Sequence, residues 1–447
     1  MSKSRVEKAP VKFDINDLAT LMSDLQKESY LSDYFSETDK KGRYLYWNEF
    51  KWRVPREHNA QKAWLITKWV RFTKRKPIEL CDVNNNEFHF CIPDSLQAKL
   101  YKIAKLSGEG TPTNSIQKRY LISSLVMEEA ISSAQLEGAL TTRRVAKKML
   151  VEEREPRSED EQMILNNYML MNEVKSLKDA PLSIDMIKHF HYIATSGTSQ
   201  NGVIAGEFRK DNEIVIAGSD GEILHQPPPC RDIEERLEKI CNFANNNHSG
   251  DDGQSFIDPI VKAIILHFMI AYEHPFADGN GRTARAIFYW FMLKNGFNFF
   301  EYLSISKLLK EAPVQYGMSY LYTEIDENDL TYFIYYQVDI ILRAMDELFN
   351  YLNEKSREIK EVLILLENSK IGDRLNFIQK DIVKKAMKNP GRVFTTKEIV
   401  KDYDISSNTA RKYLKDLVKY KILASFKEGR TINYISLANI REVLEGD

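Results

Sequence analysis

Residues His274 to Arg285 read HPFADGNGRTAR, and this stretch decides the fold of the 447-residue chain. The residues before it, from Val261 to Tyr272, are apolar and helix-forming, whereas those after it, from Thr283 to Leu293, are amphipathic and again helical. The stretch therefore predicts two consecutive helices, joined by a tight turn that opens the second helix.

The turn is suited to binding an anion. Gly279, Asn280 and Gly281 present bare backbone N–H groups at the start of a helix, where the helix dipole is positive. Arg282 and Arg285 add guanidinium groups whose paired donors match phosphate oxygens.

Two further side chains give this anion site a chemistry. Asp278 offers the carboxylate that Mg²⁺ takes together with substrate phosphates and water. His274 exchanges a proton near neutral pH and can act as a general base. A base, a metal ligand, an anion site and two cations together indicate phosphoryl-group chemistry.

The stretch resembles the core motif of the Fic family, H-x-F-x-(D/E)-G-N-G-R-x-x-R, and fills every fixed position of it. The resemblance is best over residues 120–340 and implies a mainly helical Fic fold. It also implies a Mg²⁺-dependent protein adenylyltransferase, which moves AMP from ATP to a Ser, Thr or Tyr hydroxyl and releases pyrophosphate. In that reaction His274 accepts the hydroxyl proton and Asp278 holds Mg²⁺. Arg282 and Arg285 hold the β- and γ-phosphates, and the turn stabilises charge on the transferred group.

The composition argues against several other functions. Hydrophobic residues make up 43% and charged residues 28% of the sequence, which fits a soluble protein with a substantial core. The net charge of -1 gives no overall attraction to nucleic acid or acidic membranes. Four cysteines lack CxxC spacing and histidine partners, which argues against zinc and a disulfide framework. With no signal peptide and no membrane-spanning run, the sequence predicts a cytoplasmic protein.

The N-terminal segment mixes helical stretches with a short β-rich patch from Phe88 to Pro93. It contains Trp47, Trp52 and Trp64, whose large side chains favour core packing over a binding groove. The pattern predicts an accessory helical domain, to which the sequence assigns no function.

One stretch of the helical middle of the chain, residues 206–226, contains the pattern of a β-hairpin. Two β-favouring runs, the first containing Ile214, Val215 and Ile216, flank an Asp-Gly turn. An exposed hairpin strand can bind an extended peptide through main-chain hydrogen bonds. The resemblance implies that this stretch is the flap that clamps the target segment beside the active site. Its beginning, Gly206–Arg209, resembles the family's pre-flap element.

A second motif lies upstream, in a predicted helix from Glu128 to Leu140. Ser133 and Glu137 are four residues apart and so share a face of that helix. They resemble the family's inhibitory motif, (S/T)-x-x-x-E-(G/N). The resemblance implies that Glu137 reaches Arg285 and occupies the place of the ATP γ-phosphate. A phosphate group displaced by about 1 Å would lower the rate on the order of a hundredfold, so the enzyme would be autoinhibited.

The remaining polar residues of this region have other predicted roles. Tyr316 matches a family position that contacts adenine by stacking or hydrogen bonding. His267 lies seven residues before His274, on nearly the same helix face, and is interpreted as a packed, hydrogen-bonded histidine. His189 and His191 stand two apart without acidic or cysteine companions, so no metal site is expected there.

The residues from 373 onwards change in character. Two short helical stretches separated by a turn precede two β-like runs, a pattern that resembles a winged helix-turn-helix. This segment contains 16 Lys and Arg against 10 Asp and Glu, a surplus of six. If it binds DNA, the residues that face the major groove or its phosphates, with Arg430 on the wing, are Ser406, Asn408, Arg411, Lys412 and Lys415. Winged helices also dock proteins, so DNA and protein both remain open as partners.

These patterns predict a mainly α protein with four parts. Residues 1–112 form the accessory domain, which ends in a turn-rich linker, and residues 113–350 form the Fic domain with its hairpin. Residues 351–372 form a helical connector, and residues 373–447 form the winged helix-turn-helix domain.

Two classes of function remain. The first is the enzyme, whose partners are ATP and a protein target, the chain itself included; removal of AMP, with Glu137 positioning water, is a variant of it. The second is a DNA-binding regulator whose Fic core senses a nucleotide. A sensor needs the phosphate site but not the base, so the intact set of His274, Asp278 and Arg285 favours catalysis. No membrane partner is predicted, and homodimer formation is left open.

Overall fold

The structure is a computed structural model, which describes residues 6–109, 115–198, 204–217, 221, 223–369, 371–403, 405–428 and 431–445. The protein is mainly helical, as the sequence predicted. Within the described ranges, no helix combines the length and the apolar character that crossing a bilayer requires. The chain divides into two compact units, residues 1–346 and residues 347–447. The finer division into four parts stays a prediction.

The first unit is built from helices and two short antiparallel hairpins. Its helices are α1 (Leu18–Lys27), α2 (Trp47–Phe50), α3 (Ala60–Lys74), α4 (Asp94–Glu109), α5 (Ser115–Leu136), α6 (Arg143–Glu152), α7 (Glu159–Ser176), α8 (Ile184–Thr195), α9 (Ile233–Asn245), α10 (Pro259–Glu273), α11 (Asn280–Lys294), α12 (Ile305–Glu311) and α13 (Pro313–Ile325). The long helix α14 (Thr331–Asn368) begins in this unit and ends in the second. The hairpins pair β1 (Lys76–Cys81) with β2 (Glu87–Phe90), and β3 (Ile216–Ala217) with β4 (Ile223–His225).

Helices α10 and α11 form the centre of the first unit. Nearly every side chain of α10 is apolar and buried, which is the pattern of a helix enclosed by other helices. The helix begins at Pro259, and Asp258 caps it by accepting a hydrogen bond from the Ile260 N–H at 2.8 Å. Helices α7 and α8 pack against α11, and α9 packs against α10. Both helices predicted around the core motif are therefore present, each slightly longer than predicted.

The N-terminal segment packs against the beginning of α14 and the residues just before it. Arg71 on α3 donates a hydrogen bond to the Tyr332 hydroxyl at 2.8 Å, and the Lys68 Nζ atom lies 3.0 Å from an Asp326 carboxylate oxygen. All four side chains are buried. Because buried charges are stable only when paired, these contacts hold the N-terminal segment within the first unit.

Two expectations for the N-terminal segment need correction. Trp47 and Trp64 pack together in the core with ring centroids 6.0 Å apart, but Trp52 is 78% exposed, so core packing was wrong for it. The β-rich patch is real but shorter than predicted, because β2 ends at Phe90 and the chain soon enters α4. Its partner β1 was not predicted, since a strand pattern does not identify the strand with which it pairs.

Helix α5 begins before the predicted range and ends at Leu136 rather than Leu140. It stops there because Gly138 takes a left-handed backbone conformation, with φ at +103°, which ends a helix. The Glu137 N–H still donates to the Ala134 carbonyl at 3.2 Å, so the chain makes one further tight turn. Glu137 therefore lies just beyond the helix.

The second unit combines short helices with a three-stranded antiparallel sheet in the order β5-β7-β6. Its elements are α15 (Phe377–Lys388), β5 (Val393–Thr395), α16 (Thr396–Tyr403), α17 (Ser407–Lys419), β6 (Leu423–Glu428), β7 (Thr431–Ser436) and α18 (Ile440–Glu445). Apolar side chains from the helices and the sheet share one core. Two helices followed by a hairpin are present as predicted, whereas α15, β5 and α18 were not predicted. The winged helix-turn-helix assignment stays a prediction.

Candidate active site

His274 follows α10 in a backbone conformation that side chains other than glycine seldom adopt. Its φ of 45° and ψ of 55° lie in the left-handed region, where such strain often marks a functional position. The ring Nδ1 atom is buried and has no hydrogen-bond partner among the described residues. Burial lowers the pKa of His274 to about 4. The ring is therefore neutral at neutral pH and can accept a proton.

Asn280 closes the loop between α10 and α11. Its Oδ1 atom accepts a hydrogen bond from the Phe276 N–H at 3.0 Å, and its Nδ2 atom donates to the Phe276 carbonyl at 2.9 Å. An amide side chain is needed here because it offers one acceptor and one donor side by side. Both bonds are shielded from water, since Asn280 is buried, and they fix the path of the loop.

Gly279 allows this loop to approach α8. Its φ is +80°, and a Cβ atom placed on it would lie 2.7 Å from Thr195 Cγ2 and 3.1 Å from His191 Cδ2. Both the backbone conformation and the available space therefore require glycine at this position.

His191 on α8 connects the core motif to the beginning of the hairpin segment. Its Nδ1 atom accepts a hydrogen bond from the Gly206 N–H at 2.9 Å, so the ring proton is on Nε2. Nε2 then donates to the Asp278 carbonyl at 2.9 Å. The ring also stacks on Phe276 with centroids 3.7 Å apart. Burial lowers the pKa of His191 to about 4, which keeps the ring in the neutral form that these contacts need.

Asp278 and Arg282 form an ion pair at the start of α11. An Arg282 guanidinium nitrogen lies 3.2 Å from Asp278 Oδ2, and another donates to the Ala194 carbonyl at 2.7 Å. Arg282 is buried, but a third of the Asp278 side chain remains exposed. No cluster of three or more metal-ligating side chains was found among the described residues. A cation at Asp278 would therefore need further oxygen ligands from a substrate, which is how Mg²⁺ often binds.

Arg285 is buried one turn further along α11, where it contacts the end of α5. Its Nη2 atom donates to Glu137 Oε1 at 2.8 Å and to the Ser133 hydroxyl at 2.9 Å, and its Nε atom donates to the same hydroxyl at 3.1 Å. Burial opposes the charge of Arg285, but Glu137 and the other groups around it raise its pKa. Ser133, Glu137 and Arg285, which the sequence related only through the resemblance, thus lie together.

The Glu137 carboxylate lies at the N-terminus of α11. A Cβ atom added to Gly281, in the first turn of that helix, would overlap with Glu137 Oε1. This is the position at which a helix favours an anion, because the first backbone N–H groups have no partner within the helix. Glu137 therefore lies beside the turn at residues 279–281, where the sequence predicts an anion site.

Arg209 connects both ends of the hairpin segment to the backbone of His274 and Pro275. Its Nε atom donates to the His274 carbonyl at 2.9 Å, and its backbone N–H donates to the Pro275 carbonyl at 2.9 Å. Its other guanidinium nitrogens donate to the carbonyls of Asp211 and Pro228. It also donates to the Asn212 side-chain oxygen at 3.2 Å, so Arg209 binds three backbone carbonyls and one side chain through its guanidinium group.

His225, the last residue of β4, makes a second attachment. Its Nδ1 atom lies 2.7 Å from a Glu324 carboxylate oxygen, and its Nε2 atom lies 2.7 Å from the Tyr272 carbonyl near the end of α10. Burial opposes protonation of His225, but the hydrogen bond and the charge of Glu324 outweigh it and raise the pKa of the ring. The hairpin is thus attached on both sides to residues 272–275.

The hairpin itself is shorter than the sequence pattern. Strand β3 contains Ile216 but not Ile214 or Val215, which precede it. Ile214 is half-buried, whereas Val215 and Ile216 expose about a third of their surface or more. The predicted Asp-Gly turn is at residues 220 and 221. Residues 218–220 and residue 222 lie outside the described residues.

Tyr316 lies on α13 with its hydroxyl group already occupied. This hydroxyl is 2.9 Å from His267 Nε2 and 3.1 Å from the Tyr320 hydroxyl. His267 is fully buried and hydrogen-bonded, and burial lowers its pKa to about 3. Contact between Tyr316 and adenine stays a prediction, and the ring rather than the hydroxyl would have to make it.

Three residues of the site were not identified from the sequence as parts of it. His191 was considered only as a metal ligand, Arg209 only as part of a local motif, and His225 only as the end of a strand. His191 contacts only backbone groups in its two hydrogen bonds, and Arg209 and His225 combine backbone carbonyls with the side chains of Asn212 and Glu324. These partners are distant in sequence or carry no sequence signal, so only the three-dimensional structure shows the three roles.

The residues predicted to face DNA lie in the second unit. The side chains of this set that the structure describes are all exposed: Ser406, Asn408, Arg411, Lys412 and Lys415. The four on α17 follow the spacing i, i+3, i+4 and i+7, and so share one face of the helix. Arg430 lies outside the described residues.

The segment that contains the core motif is similar to known proteins of one family. The Fic/DOC family model matches residues 181–292. The Protein adenylyltransferase Fic of Drosophila virilis is 30% identical over 92 residues, which cover 21% of this chain and 16% of that protein. The Protein adenylyltransferase fic-1 of Caenorhabditis elegans is 40% identical over 65 residues, or 14% of this chain and 12% of that protein. The match therefore spans less than a fifth of the length of these relatives.

A structural comparison gives a solved neighbour as well. The crystal structure of a Fic family protein from Desulfovibrio desulfuricans G20 aligns with a TM-score of 0.49 and 16% sequence identity. The alignment covers 76% of this chain and 94% of that one.

Proposed function

Because the chain carries a Fic domain, we propose that it transfers AMP from ATP to a hydroxyl group of a protein and that Glu137 restrains this transfer. The observation that carries the proposal is the arrangement around Arg285. A neutral histidine and the N-terminus of a helix lie in one motif, and Arg285 of that motif donates a hydrogen bond to Glu137, just beyond the end of α5. This arrangement suits a phosphate substrate whose entry is opposed by an internal anion.

The base in this reaction is His274. Its neutral ring accepts the proton of a Ser, Thr or Tyr hydroxyl while that oxygen forms a bond to the α-phosphorus of ATP. The bond from the α-phosphorus to the bridging oxygen breaks, and pyrophosphate leaves with the electron pair. A pKa of about 4 is low for a base, but phosphate charges close to the ring raise the pKa of a histidine. Substrate binding itself therefore prepares His274 for its role.

The anion-binding part of the site consists of the α11 N-terminus and its two arginines. The first backbone N–H groups of α11 stabilise negative charge on the transferred phosphate, and Arg282 and Arg285 bind the β- and γ-phosphates. Asp278 fits a Mg²⁺ ion because its carboxylate is partly exposed and the phosphates supply the remaining oxygens. When bound, Mg²⁺ neutralises the charge that develops on the leaving group.

Restraint by Glu137 follows from competition for Arg285. A γ-phosphate at Arg285 would replace the Glu137 carboxylate, which lies 2.8 Å from the guanidinium group. If Glu137 stays, the phosphate chain binds in another position, and a displacement of about 1 Å at the reacting atom lowers the rate on the order of a hundredfold.

The hairpin supports a protein rather than a small molecule as the acceptor. Its strands bear exposed apolar side chains. Arg209 and His225 hold the two ends of the hairpin segment close to His274, through the carbonyls of His274 and Tyr272. An extended peptide that pairs with the exposed strand would bring a hydroxyl group close to the base.

The test uses ATP labelled at the α-phosphorus, with Mg²⁺ and a cell lysate as the source of targets. Three proteins are compared: wild type, Glu137→Gly, and Glu137→Gly combined with His274→Ala. We expect label on protein to rise in Glu137→Gly and to vanish in the double variant. Absence of label from all three proteins contradicts the transferase. Loss of label from prelabelled protein in the presence of wild type would instead indicate removal of AMP.

A second candidate function concerns α17. Its exposed face carries Asn408, Arg411, Lys412 and Lys415, and the opposite face is buried in the core of the second unit. This is the arrangement of a helix that binds phosphates or base edges in a DNA groove. Binding to DNA fragments that depends steeply on salt concentration supports this function, as does weaker binding by the Lys412→Ala and Lys415→Ala variants. Binding that does not change with salt contradicts it.

A further inference from the structure

Glu129 is a buried carboxylate on the same side of α5 as the two residues that contact Arg285. It precedes Ser133 by four residues, and positions spaced by four lie close to one another along a helix surface, whereas Glu137 follows the end of the same helix. Only 2% of its surface is exposed. Burial raises the pKa of Glu129, and the hydrogen bonds of two serines and the charge of Arg285 oppose this rise. Since a buried carboxylate is costly unless hydrogen-bonded, its partners identify what it does.

The partners of Glu129 are two serines just before and within α12. Oε2 accepts hydrogen bonds from the Ser304 hydroxyl at 2.8 Å and the Ser306 N–H at 3.2 Å. Oε1 accepts from the Ser306 hydroxyl at 2.5 Å. Ser306 is completely buried. Three donors on one short segment are thus satisfied by a single side chain, which joins α5 to α12.

A second contact joins α12 to the end of α5. The Lys310 Nζ atom donates to Gln135 Oε1 at 2.7 Å, and Gln135 Nε2 donates to the Thr141 carbonyl at 2.8 Å, beyond the end of the helix. This contact is exposed and therefore weaker than the buried one. Together they attach α5 to α12 on both sides of Ser133.

We propose that Glu129 is a positioning residue that holds α5 on α12 so that Ser133 and Glu137 reach Arg285. The proposal rests on the proposed function, because it concerns the restraint that Glu137 exerts. A helix rises about 1.5 Å per residue, so Leu136, the last residue of α5, lies about 10 Å beyond Glu129, and Glu137 directly follows it. A small rotation or slide of the helix at Glu129 moves Glu137 away from the anion site.

The proposal also identifies α12 as the element through which the restraint is released. Anything that moves Ser304 or Ser306 removes donors from Glu129 and loosens α5. The core motif makes none of these hydrogen bonds to Glu129; its link to α5 is through Arg285, which contacts Ser133 and Glu137.

The test is a double-mutant comparison with α-labelled ATP. Glu129→Met keeps the length of the side chain and removes both acceptors, and it is measured with Glu137 present and in the Glu137→Gly background. We expect the initial rate to rise about tenfold or more with Glu137 present, because hydrogen bonds to a buried carboxylate are among the strong ones. In the Glu137→Gly background, which lacks the restraint, we expect a change of less than about twofold.

Two control variants separate anchoring from other effects. Glu129→Gln keeps one acceptor for Ser304 and the Ser306 N–H, while its NH₂ group donates to the Ser306 hydroxyl, so the rate stays near that of wild type. Glu128→Gln makes the same chemical change at the neighbouring carboxylate, which contacts Arg143 on α6, and leaves the rate unchanged. The double variant Ser304→Ala with Ser306→Ala removes both hydroxyl donors and raises the rate even if Glu129→Met fails to fold.

The outcomes distinguish the two proposals. An equal change in both backgrounds, or a lower rate with Glu137 present, overturns the anchoring role of Glu129. If Glu137→Gly itself labels no faster than wild type, the restraint by Glu137 is overturned, and the role of Glu129 with it. Hydrogen exchange gives an independent readout: the amides of residues 131–137 exchange faster in Glu129→Met than in Glu128→Gln if α5 is loosened, and equally fast if it is not.

Discussion

The core motif and the end of α5 meet at Arg285, but the structure holds them in different ways. The core-motif loop is held by buried contacts to backbone groups, from His191 to the Asp278 carbonyl and from Arg282 to the Ala194 carbonyl. Glu137, by contrast, contacts Arg285 through a single carboxylate, which is 22% exposed. The residue lies beyond the end of α5. Under the proposed function, this difference predicts a permanent loop and a restraint that a phosphate can displace.

In the proposed function, replacement of Glu137 by a phosphate exchanges one anion for another at Arg285. Arg285 contacts the Ser133 hydroxyl as well as Glu137, and in the proposed exchange a phosphate would take the place of the carboxylate. No buried cation is left unpaired during the exchange, which would otherwise be costly. The helix N-terminus favours either anion.

The largest effect is expected when the loop itself is broken. Asn280→Ala removes both hydrogen bonds to Phe276, so the loop shifts and AMP transfer by the Glu137→Gly enzyme falls on the order of a hundredfold. The control is Asn295→Ala, which removes one bond at the exposed end of the same helix. Equal rates for the two variants in the labelling assay would contradict the permanent role of the loop.

Weakening the restraint should change the rate in the opposite direction. Glu137→Gln removes the charge from the contact with Arg285 and should raise the initial labelling rate about tenfold, since a charge-assisted bond becomes a neutral one. Glu128→Gln is the matched control, because this carboxylate contacts Arg143 instead. A rate for Glu137→Gln no higher than that of the control would show that charge at Arg285 does not restrain the enzyme.

The connection between α8 and the loop is tested by His191→Phe. The ring still stacks on Phe276, but the Asp278 carbonyl and the Gly206 N–H lose their partner, and we expect a rate roughly tenfold lower. His189→Phe, two residues away on the same helix, removes only an exposed contact to Glu173 and should leave the rate unchanged. If both variants behave alike, His191 does not position the loop.

The close packing of the loop on α8 should be visible in stability. Gly279→Ala combines an unfavourable φ of +80° with a clash against Thr195, whereas Gly296→Ala has a φ of +82° and open space around it. We expect Gly296→Ala to lower the free energy of unfolding by about 1 kcal/mol and Gly279→Ala by about 2–4 kcal/mol. Chemical denaturation measures both. Equal losses would mean that the loop has room to move.

The last prediction concerns the effect of pH on stability. The pKa of His191 is about 4 in the folded protein and about 6.5 in the unfolded chain, so only the unfolded state takes up this proton between those values. Its contribution to stability is present above about pH 6.5 and is lost as the pH falls towards 4. Wild type should therefore lose about 1.4 kcal/mol per pH unit more than His191→Phe around pH 5. Parallel pH dependence of the two proteins in denaturation experiments would contradict the neutral ring.

The parts of the fold that the sequence predicted are those carried by local patterns. The apolar run before His274 predicted α10, and the twelve residues that follow predicted the loop and the start of α11. The contact between Ser133, Glu137 and Arg285 was expected only from a family resemblance, because 148 residues separate Glu137 from Arg285. Local spacing alone placed two of them on one face.

The parts that the sequence did not predict depend on backbone groups or on distant pairing. Arg209 and His191 act through carbonyl and amide groups, which every residue offers, so no pattern marks their partners. In the sequence Glu129 is one charged residue of a predicted helix among others, because its partners Ser304 and Ser306 are more than 170 residues away. The end of α5 depended on the left-handed conformation of Gly138, which glycine permits but does not require.

Competition between Glu137 and phosphate for Arg285 is tested most directly by nucleotide binding without any protein target. Calorimetry would give the dissociation constants of ATP and AMP, with Mg²⁺, for wild type and Glu137→Gly. We expect the ATP constant to fall about tenfold in the variant and the AMP constant to stay within about twofold, since only ATP carries the phosphate that Arg285 would bind. Equal shifts for both nucleotides, or none for either, would contradict the competition.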